Sequence, residues 1–432
     1  MDIVIEPHEL SGDVRAVASK SVAHRLIILA ALSDATTDLD CSTTSADIEA
    51  TAACMEALGA RISRTRLGYR IVGRPSVIRR QLPIRQGILN CGESGSTLRF
   101  LLPIVCALGC GGSFVGAGRL AERPLSPLYE QLVEHGVTLS EQGRFPLDLS
   151  GRLQGGTFVL PGNVSSQYVS GLLMAAPLVG EPMRIVVSTP IESAPYIQMT
   201  LRALETFGVA VAENSFDRDD TAYKVYDIHP TEFEAPSSLP VEGDWSNAAF
   251  WLVAGACSRT GIEVTGLDGS SAQGDRAILA ALSMAGARVG RSRTSAATRR
   301  ENLRPLQLDV SSIPDLVPPL AALAANTWGM TRFSHAGRLR LKESDRLATV
   351  SAAVNACGGH ARIDGDDLVI DGGELAGGDV DAANDHRIAM MAAVLSQGCS
   401  GPVRVHGAEC VEKSYPTFWE DFVRLGGVVR KA

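Results

Sequence analysis

Ser19-Lys20-Ser21-Val22-Ala23-His24-Arg25-Leu26-Ile27-Ile28-Leu29-Ala30-Ala31-Leu32 opens on a polar, cationic head and runs on as an apolar stretch. Five later segments repeat the design. They are Ser94-Gly95-Ser96-Thr97 before 98–108, Ser165-Ser166-Gln167 before 168–178 and Glu242-Gly243-Asp244 before 245–256. Pro314-Asp315 before 316–325 and Asn384-Asp385-His386-Arg387 before 388–395 complete the set. The heads recur at intervals of roughly 70–80 residues, which marks a repeat architecture. A second helical pattern follows each one and ends on Gly: Leu58-Gly59, His135-Gly136, Phe207-Gly208, Ala285-Gly286, Cys357-Gly358 and Leu425-Gly426. Glycine there suits the left-handed position that ends a helix. Alternating runs such as Tyr69-Arg70-Ile71-Val72 and Leu368-Val369-Ile370 come next and read as strands.

Each unit therefore reads helix, strand, helix, strand, strand. Its first helix is apolar around most of its circumference, which predicts a helix buried inside a domain. A chain of 432 residues exceeds one ordinary core, so two domains are expected. Three units per domain, sheets outside and helices inside, would bury all six first helices. The turn-rich stretch Ala235-Pro236-Ser237-Ser238 falls between units three and four and suits a hinge.

The composition, 45% apolar and 20% charged, is that of a globular protein, and no apolar run reaches the ~18 residues of a membrane span. The strand-like start Met1-Asp2-Ile3-Val4-Ile5-Glu6 lacks the basic segment of a signal peptide, so a cytoplasmic location is expected. A net charge of −8 argues against nucleic-acid binding. The nine cysteines include no C-x-x-C pair, and Cys106 and Cys110 lack a histidine at metal-ligand spacing. Buried thiols are expected, with no metal. Basic residues are 35 Arg and five Lys, and three of the lysines (Lys20, Lys342, Lys413) lie in the motifs below.

A helix N-terminus presents unpaired N–H groups and about half a positive charge. Taken singly, each head is explained by ordinary capping. Six heads aimed at one place would trap anions, and Lys20, Arg25, Arg99, Arg123, Arg346 and Arg387 add cations to them. Asp315 heads an apolar helix, and Glu343 sits between Lys342 and Arg346. A carboxylate among cations stays ionised, yet it can exchange protons near neutral pH once substrate phosphates occupy those cations. Glu343 and Arg346 also have the spacing of a helical surface pair.

Taken together these segments resemble the 5-enolpyruvylshikimate-3-phosphate synthases, the 3-phosphoshikimate 1-carboxyvinyltransferases of the enolpyruvyl transferase family. The resemblance spans the chain. It rests on Ser19-Lys20-Ser21-x-x-x-Arg25, Gly92-Glu93-Ser94-Gly95-Ser96-Thr97-Leu98-Arg99, Glu122-Arg123-Pro124 and Ser165-Ser166-Gln167. Pro195-Tyr196-Ile197, Glu242-Gly243-Asp244, Ile313-Pro314-Asp315, Lys342-Glu343-Ser344-Asp345-Arg346, Asn384-Asp385-His386-Arg387 and Lys413-x-Tyr415-Pro416 extend it.

The resemblance implies an α/β (α+β) fold of two domains, each with three βαβαββ units: 18–238, and 1–17 plus 239–432. It implies a cleft that closes on substrate, a monomer, and no cofactor. It implies transfer of the enolpyruvyl group of phosphoenolpyruvate to the 5-hydroxyl of shikimate 3-phosphate. Shikimate 3-phosphate would be held by Lys20, Ser21, Arg25, Ser165, Ser166, Gln167, Ser193, Asp315 and Lys342. Phosphoenolpyruvate would be held by Lys20, Gly95, Arg123, Gln167, Arg346, Arg387 and Lys413. Asp315 would take the hydroxyl proton, with Glu343 and Lys20 handling the methylene proton. A side chain at Gly95 should crowd phosphoenolpyruvate and a phosphonate mimic such as glyphosate. Glu93-Ser94 replaces a common Asn-Ala, Ser344 a Thr, and Arg338 an Asn whose contact is not carried over.

The sister enzyme acting on UDP-N-acetylglucosamine usually carries a reactive Cys on the loop before its Arg-Pro. Here that loop reads Gly118-Arg119-Leu120-Ala121-Glu122-Arg123-Pro124. A non-catalytic anion-binding protein on this fold should have lost Asp315, Glu343 or Lys413, and all three are present.

Overall fold

The apolar runs form helices, and four of the six helices begin earlier than the runs do. In the computed structural model, which describes residues 1–73, 87–218 and 221–432, they span Lys20–Leu32, Gly95–Leu108, Ser166–Ala175, Trp245–Cys257, Val317–Ala325 and His386–Leu395. The start moves two to four residues upstream in the Lys20, Gly95 and Ser166 helices, so the polar head becomes the first helical turn. Ser94, Ser165, Asp244 and Asp385 supply the caps, accepting from the backbone N–H of Thr97, Gln167, Asn247 and Arg387. Beyond their first turns these helices are buried nearly all round; every residue of Val317–Ala325 and of His386–Leu395 is buried. Each fully buried Leu, Ile or Phe contributes about 1.5–3 kcal/mol, so this burial holds the repeats together.

The second helix of every repeat ends at the expected glycine. Gly59, Gly136, Gly208, Gly286, Gly358 and Gly426 all have positive φ, from 76° to 105°. The chain divides into two units, Lys20–Val241, and Met1–Ser19 with Glu242–Ala432. Among the described residues each unit has three four-stranded sheets.

The sheets show how the repeats are joined. In Lys20–Val241, strand Gly87–Asn90 ends one repeat but runs parallel to Gly112–Val115 of the next. Gly156–Pro161 pairs in the same way with Met183–Ser188. Ser238–Pro240, at the stretch read as a hinge, returns to pair with Thr36–Asp40 of the first repeat and closes the cycle. The other unit closes through the start of the chain. Ile3–Glu6 lies between Val403–His406 and Val428–Lys431, antiparallel to both. Gly12–Arg15 pairs parallel with Ile262–Thr265. The sixth repeat is thus completed by the first fifteen residues. All nine cysteines are free thiols, eight of them buried.

Candidate active site

In Lys20–Val241 three helix heads carry the residues singled out above. Lys20 starts the first, and its Nζ lies 2.7 Å from Asp47 Oδ2. Arg25, one turn further in, is 2% exposed. Its Nε donates to Thr200 Oγ1 at 2.7 Å, Nη1 to the Ser21 carbonyl at 2.6 Å and Nη2 to the Tyr196 carbonyl at 2.9 Å. Burial pushes this guanidinium down to about 10, so it stays charged at neutral pH. Arg25 therefore braces the Ser21 backbone against the helix Ala194–Thr206. Ser193, just before that helix, is buried in a left-handed conformation with φ 57°.

Gln167 joins the other two heads. Its Oε1 accepts from Arg99 Nη1 at 2.8 Å, and its Nε2 donates to Ser96 Oγ at 2.9 Å. Arg99 also donates to the Pro124 carbonyl at 2.9 Å, tying down the Glu122-Arg123-Pro124 loop. A Cβ placed on Gly95 would lie 2.7–2.9 Å from the Arg123 guanidinium. Glycine at 95 thus lets the Arg123 guanidinium lie against the helix head. Ser165 Oγ accepts from Gln167 N at 3.3 Å, and Ser166 is the first residue of its helix.

In the other unit Arg346 organises a carboxylate cluster. Its side chain is 1% exposed. Nε lies 2.7 Å from Asp385 Oδ2, Nη1 lies 2.8 Å from Asp315 Oδ1 and Nη2 lies 2.6 Å from Glu343 Oε2. The 343–346 contact has the spacing of a surface helix pair but is not one. Arg346 is buried, and Glu343 precedes the helix Arg346–Ala356. Asp315 lies in the turn Pro314–Leu316. It also meets Lys342 Nζ at 3.2 Å and Arg387 Nη2 at 3.4 Å. Burial alone would raise the Asp315 carboxyl; Arg387, Lys342 and Arg346 outweigh it and hold the group well below the usual carboxylate range. Burial lowers Lys342. Lys413 donates to the Asn384 carbonyl at 2.7 Å. Ala383 and Asn384, with φ 50° and 55°, bend the backbone just ahead of the Asp385 cap.

Asp47, Ser246 and Asp275 were not legible as site residues. Ser246 Oγ accepts from Arg387 Nη2 at 2.7 Å and hydrogen-bonds Asp275. Asp275 is buried, and burial together with nearby Asp315 pushes its carboxyl up to about 6. The folded state therefore binds this proton more tightly than the unfolded chain does. Its stabilising contribution is complete below about pH 4 and is lost as pH rises through about 6. Asp275→Asn is expected to narrow the stability difference between about pH 4.5 and about pH 7.5, measured by urea unfolding. An unchanged difference would remove Asp275 as its source.

Six repeats of one helix-and-sheet design, three in each unit, with cation-bearing helix heads in both units and a buried carboxylate cluster in one, define an enolpyruvyl-transferase architecture. Solved structures share this fold. EPSP synthase from Acinetobacter baumannii aligns with TM-score 0.78 at 24% identity, covering 100% of this chain and 99% of that one. The enolpyruvyl transferase NikO from Streptomyces tendae aligns at 0.75 and 18%, covering 100% and 98%. In sequence, the family model of EPSP synthase (3-phosphoshikimate 1-carboxyvinyltransferase) matches residues 4–422. A 3-phosphoshikimate 1-carboxyvinyltransferase of Clostridium kluyveri is 39% identical over 429 residues, 99% of this chain and 98% of the relative. One from Clostridium perfringens is 38% identical over 431 residues, 99% of each. The chain belongs to the EPSP synthase family.

Proposed function

We infer that this chain transfers the enolpyruvyl group of phosphoenolpyruvate to the 5-hydroxyl of shikimate 3-phosphate and releases phosphate. The observation that carries the reading is Asp315, a carboxylate held ionised by Lys342, Arg346 and Arg387 at the start of a wholly buried helix. Such a base is too weak at rest. Once anionic substrate groups engage its cations their hold on it relaxes, and its proton affinity rises toward neutrality. Asp315 then takes the 5-hydroxyl proton. Glu343 and Lys20 deliver and recover the methylene proton of phosphoenolpyruvate. The hydroxyl oxygen bonds to C2 as that proton arrives, and the C2–phosphate bond breaks as it leaves. Lys413 assists the departing phosphate.

Ser165, Ser166, Gln167, Ser21, Arg25 and Ser193, with Lys20, Lys342 and Asp315, hold shikimate 3-phosphate. Gly95, Arg123, Arg346, Arg387 and Lys413, with Lys20 and Gln167, hold phosphoenolpyruvate. The same reading places the protein in the cytoplasm, as a monomer without a cofactor; among the described residues no helix is long and apolar enough to cross a membrane. Phosphate release measured with shikimate 3-phosphate and with UDP-N-acetylglucosamine, each offered alone with phosphoenolpyruvate, tests the acceptor. Release with the sugar nucleotide only would overturn it.

Gly95→Ala supplies a second check. Alanine is the better helix former, so the fold is not weakened. The added methyl displaces the Arg123 guanidinium. The KM for phosphoenolpyruvate is expected to rise about tenfold or more, with that for shikimate 3-phosphate little changed. Equal values for wild type and variant would remove the Gly95–Arg123 contact from donor binding.

A further inference from the structure

A line of buried polar side chains crosses the apolar helix layer of Lys20–Val241. His24 Nδ1 lies 2.6 Å from Thr51 Oγ1, Thr51 Oγ1 lies 2.7 Å from Thr97 Oγ1, and Thr97 Oγ1 lies 2.8 Å from Ser94 Oγ. All four residues are at most 1% exposed. The line joins the helices Lys20–Leu32, Ala46–Ala57 and Gly95–Leu108, and ends on the hydroxyl that caps the third by accepting from Thr97 N at 3.2 Å. Buried polar groups must be hydrogen-bonded to offset their desolvation, and a bonded line of them rigidifies the elements it joins.

Spacing shows what that geometry is. Lys20 and His24 are four residues apart on one helix, and Asp47 and Thr51 are four apart on the next. Each pair shares a helix face. Lys20–Asp47 at 2.7 Å and His24–Thr51 at 2.6 Å are thus two rungs between the same two helices. The Thr51–Thr97–Ser94 continuation extends the inner rung to the head that begins at Gly95. Burial, with Lys20 and Arg25 nearby, keeps the His24 ring neutral, so it acts by hydrogen bonding and not as a charge.

We propose that His24 is a positioning residue: through Thr51, Thr97 and Ser94 it fixes the register of the Lys20 head against the Gly95 head. The proposal rests on the reading that both heads bind phosphoenolpyruvate. A misplaced head weakens anion binding without removing any group that touches substrate.

The test compares His24→Leu, His24→Asn, Thr97→Val and Ser94→Ala with the wild type. The amide of Asn sits where Nδ1 sits and restores the contact to Thr51. His24→Leu and Thr97→Val are expected to raise the KM for phosphoenolpyruvate about tenfold and, because Lys20 also handles the methylene proton, to lower kcat per folded enzyme with it. His24→Asn should stay within about threefold of wild type in both. The His24→Leu/Thr97→Val double variant should be no worse than either single one, because both break one chain. A purely structural histidine would lower the melting temperature and the active fraction and leave KM alone; that result overturns the proposal, as would His24→Asn failing as badly as His24→Leu. If His24→Leu does not fold, Thr97→Val carries the comparison. Orthophosphate affinity by calorimetry is read on every variant and should fall in parallel. A wild type that does not turn over the substrate pair sinks the functional reading, while the orthophosphate affinities still decide the role of His24.

Discussion

Asp315→Ala is expected to cut turnover by about 100- to 10,000-fold while both substrates still bind, the loss typical when a general base is removed. Lys342, Arg346 and Arg387 remain in place, so the positive charge around position 315 survives. The KM values should therefore shift far less than kcat. Asp315→Asn sharpens the test, because the amide keeps the shape and, through its oxygen, the 2.8 Å contact to Arg346 but cannot take up the proton. Single-turnover measurements with both substrates saturating separate the chemical step from binding. If Asp315→Asn turns over within tenfold of wild type, Asp315 is not the base, and Glu343, 2.6 Å from the same arginine, becomes the residue to examine.

Arg346→Leu is expected to destabilise its unit by about 3–5 kcal/mol, because removing one member of a buried ionic group leaves the others uncompensated. Asp385 is fully buried, and burial would raise its carboxyl but for Arg346, which holds it below its ordinary value. A depressed carboxylate stabilises the fold above its unfolded pKa of about 4 and loses that contribution as pH falls through the folded value. The variant lacks this contribution at neutral pH. Its deficit against wild type should accordingly shrink toward acid pH, where the stranded carboxylates can bind protons. Denaturant midpoints of this unit at several pH values measure both effects. Arg346→Lys keeps a charge but not the three-way fork and should recover only part of the loss. A neutral-pH deficit below about 1 kcal/mol would mean that the cluster is not tightly coupled to folding.

The repeat was legible because each copy writes its helix twice, as an apolar run and as a terminal glycine. Six glycines fell at the left-handed ends that local backbone sterics require. The helix starts are not legible because capping residues and polar first turns draw on the same residue types, so Lys20, Gly95 and Ser166 read as loop when they are first turns. What joins the repeats was hidden. A short strand such as Ser238–Pro240, lying in a turn-rich stretch, carries no sign that its partner is Thr36–Asp40. The site shows the same division. Motifs named Asp315, Lys342 and Arg346, but Asp47, Ser246 and Asp275 owe their place to contacts made across 27 to 141 residues of sequence. The sequence left two readings of Glu343–Arg346 open. Burial of Arg346 decides between them, and burial is a property of the whole unit.

The unit that holds Arg346 cannot complete its sheets in the order in which a ribosome makes them. Ile3–Glu6 emerges first, yet both of its neighbours lie beyond residue 400. At about 5–20 residues per second, roughly 20–80 s separate the strand from its partners. Gly12–Arg15 waits for Ile262–Thr265. Lys20–Val241, by contrast, is one uninterrupted stretch and can mature while the rest is still being translated. Gly12–Arg15 thus gains its partner midway through synthesis, while Ile3–Glu6 carries unpaired edges until the last repeat arrives.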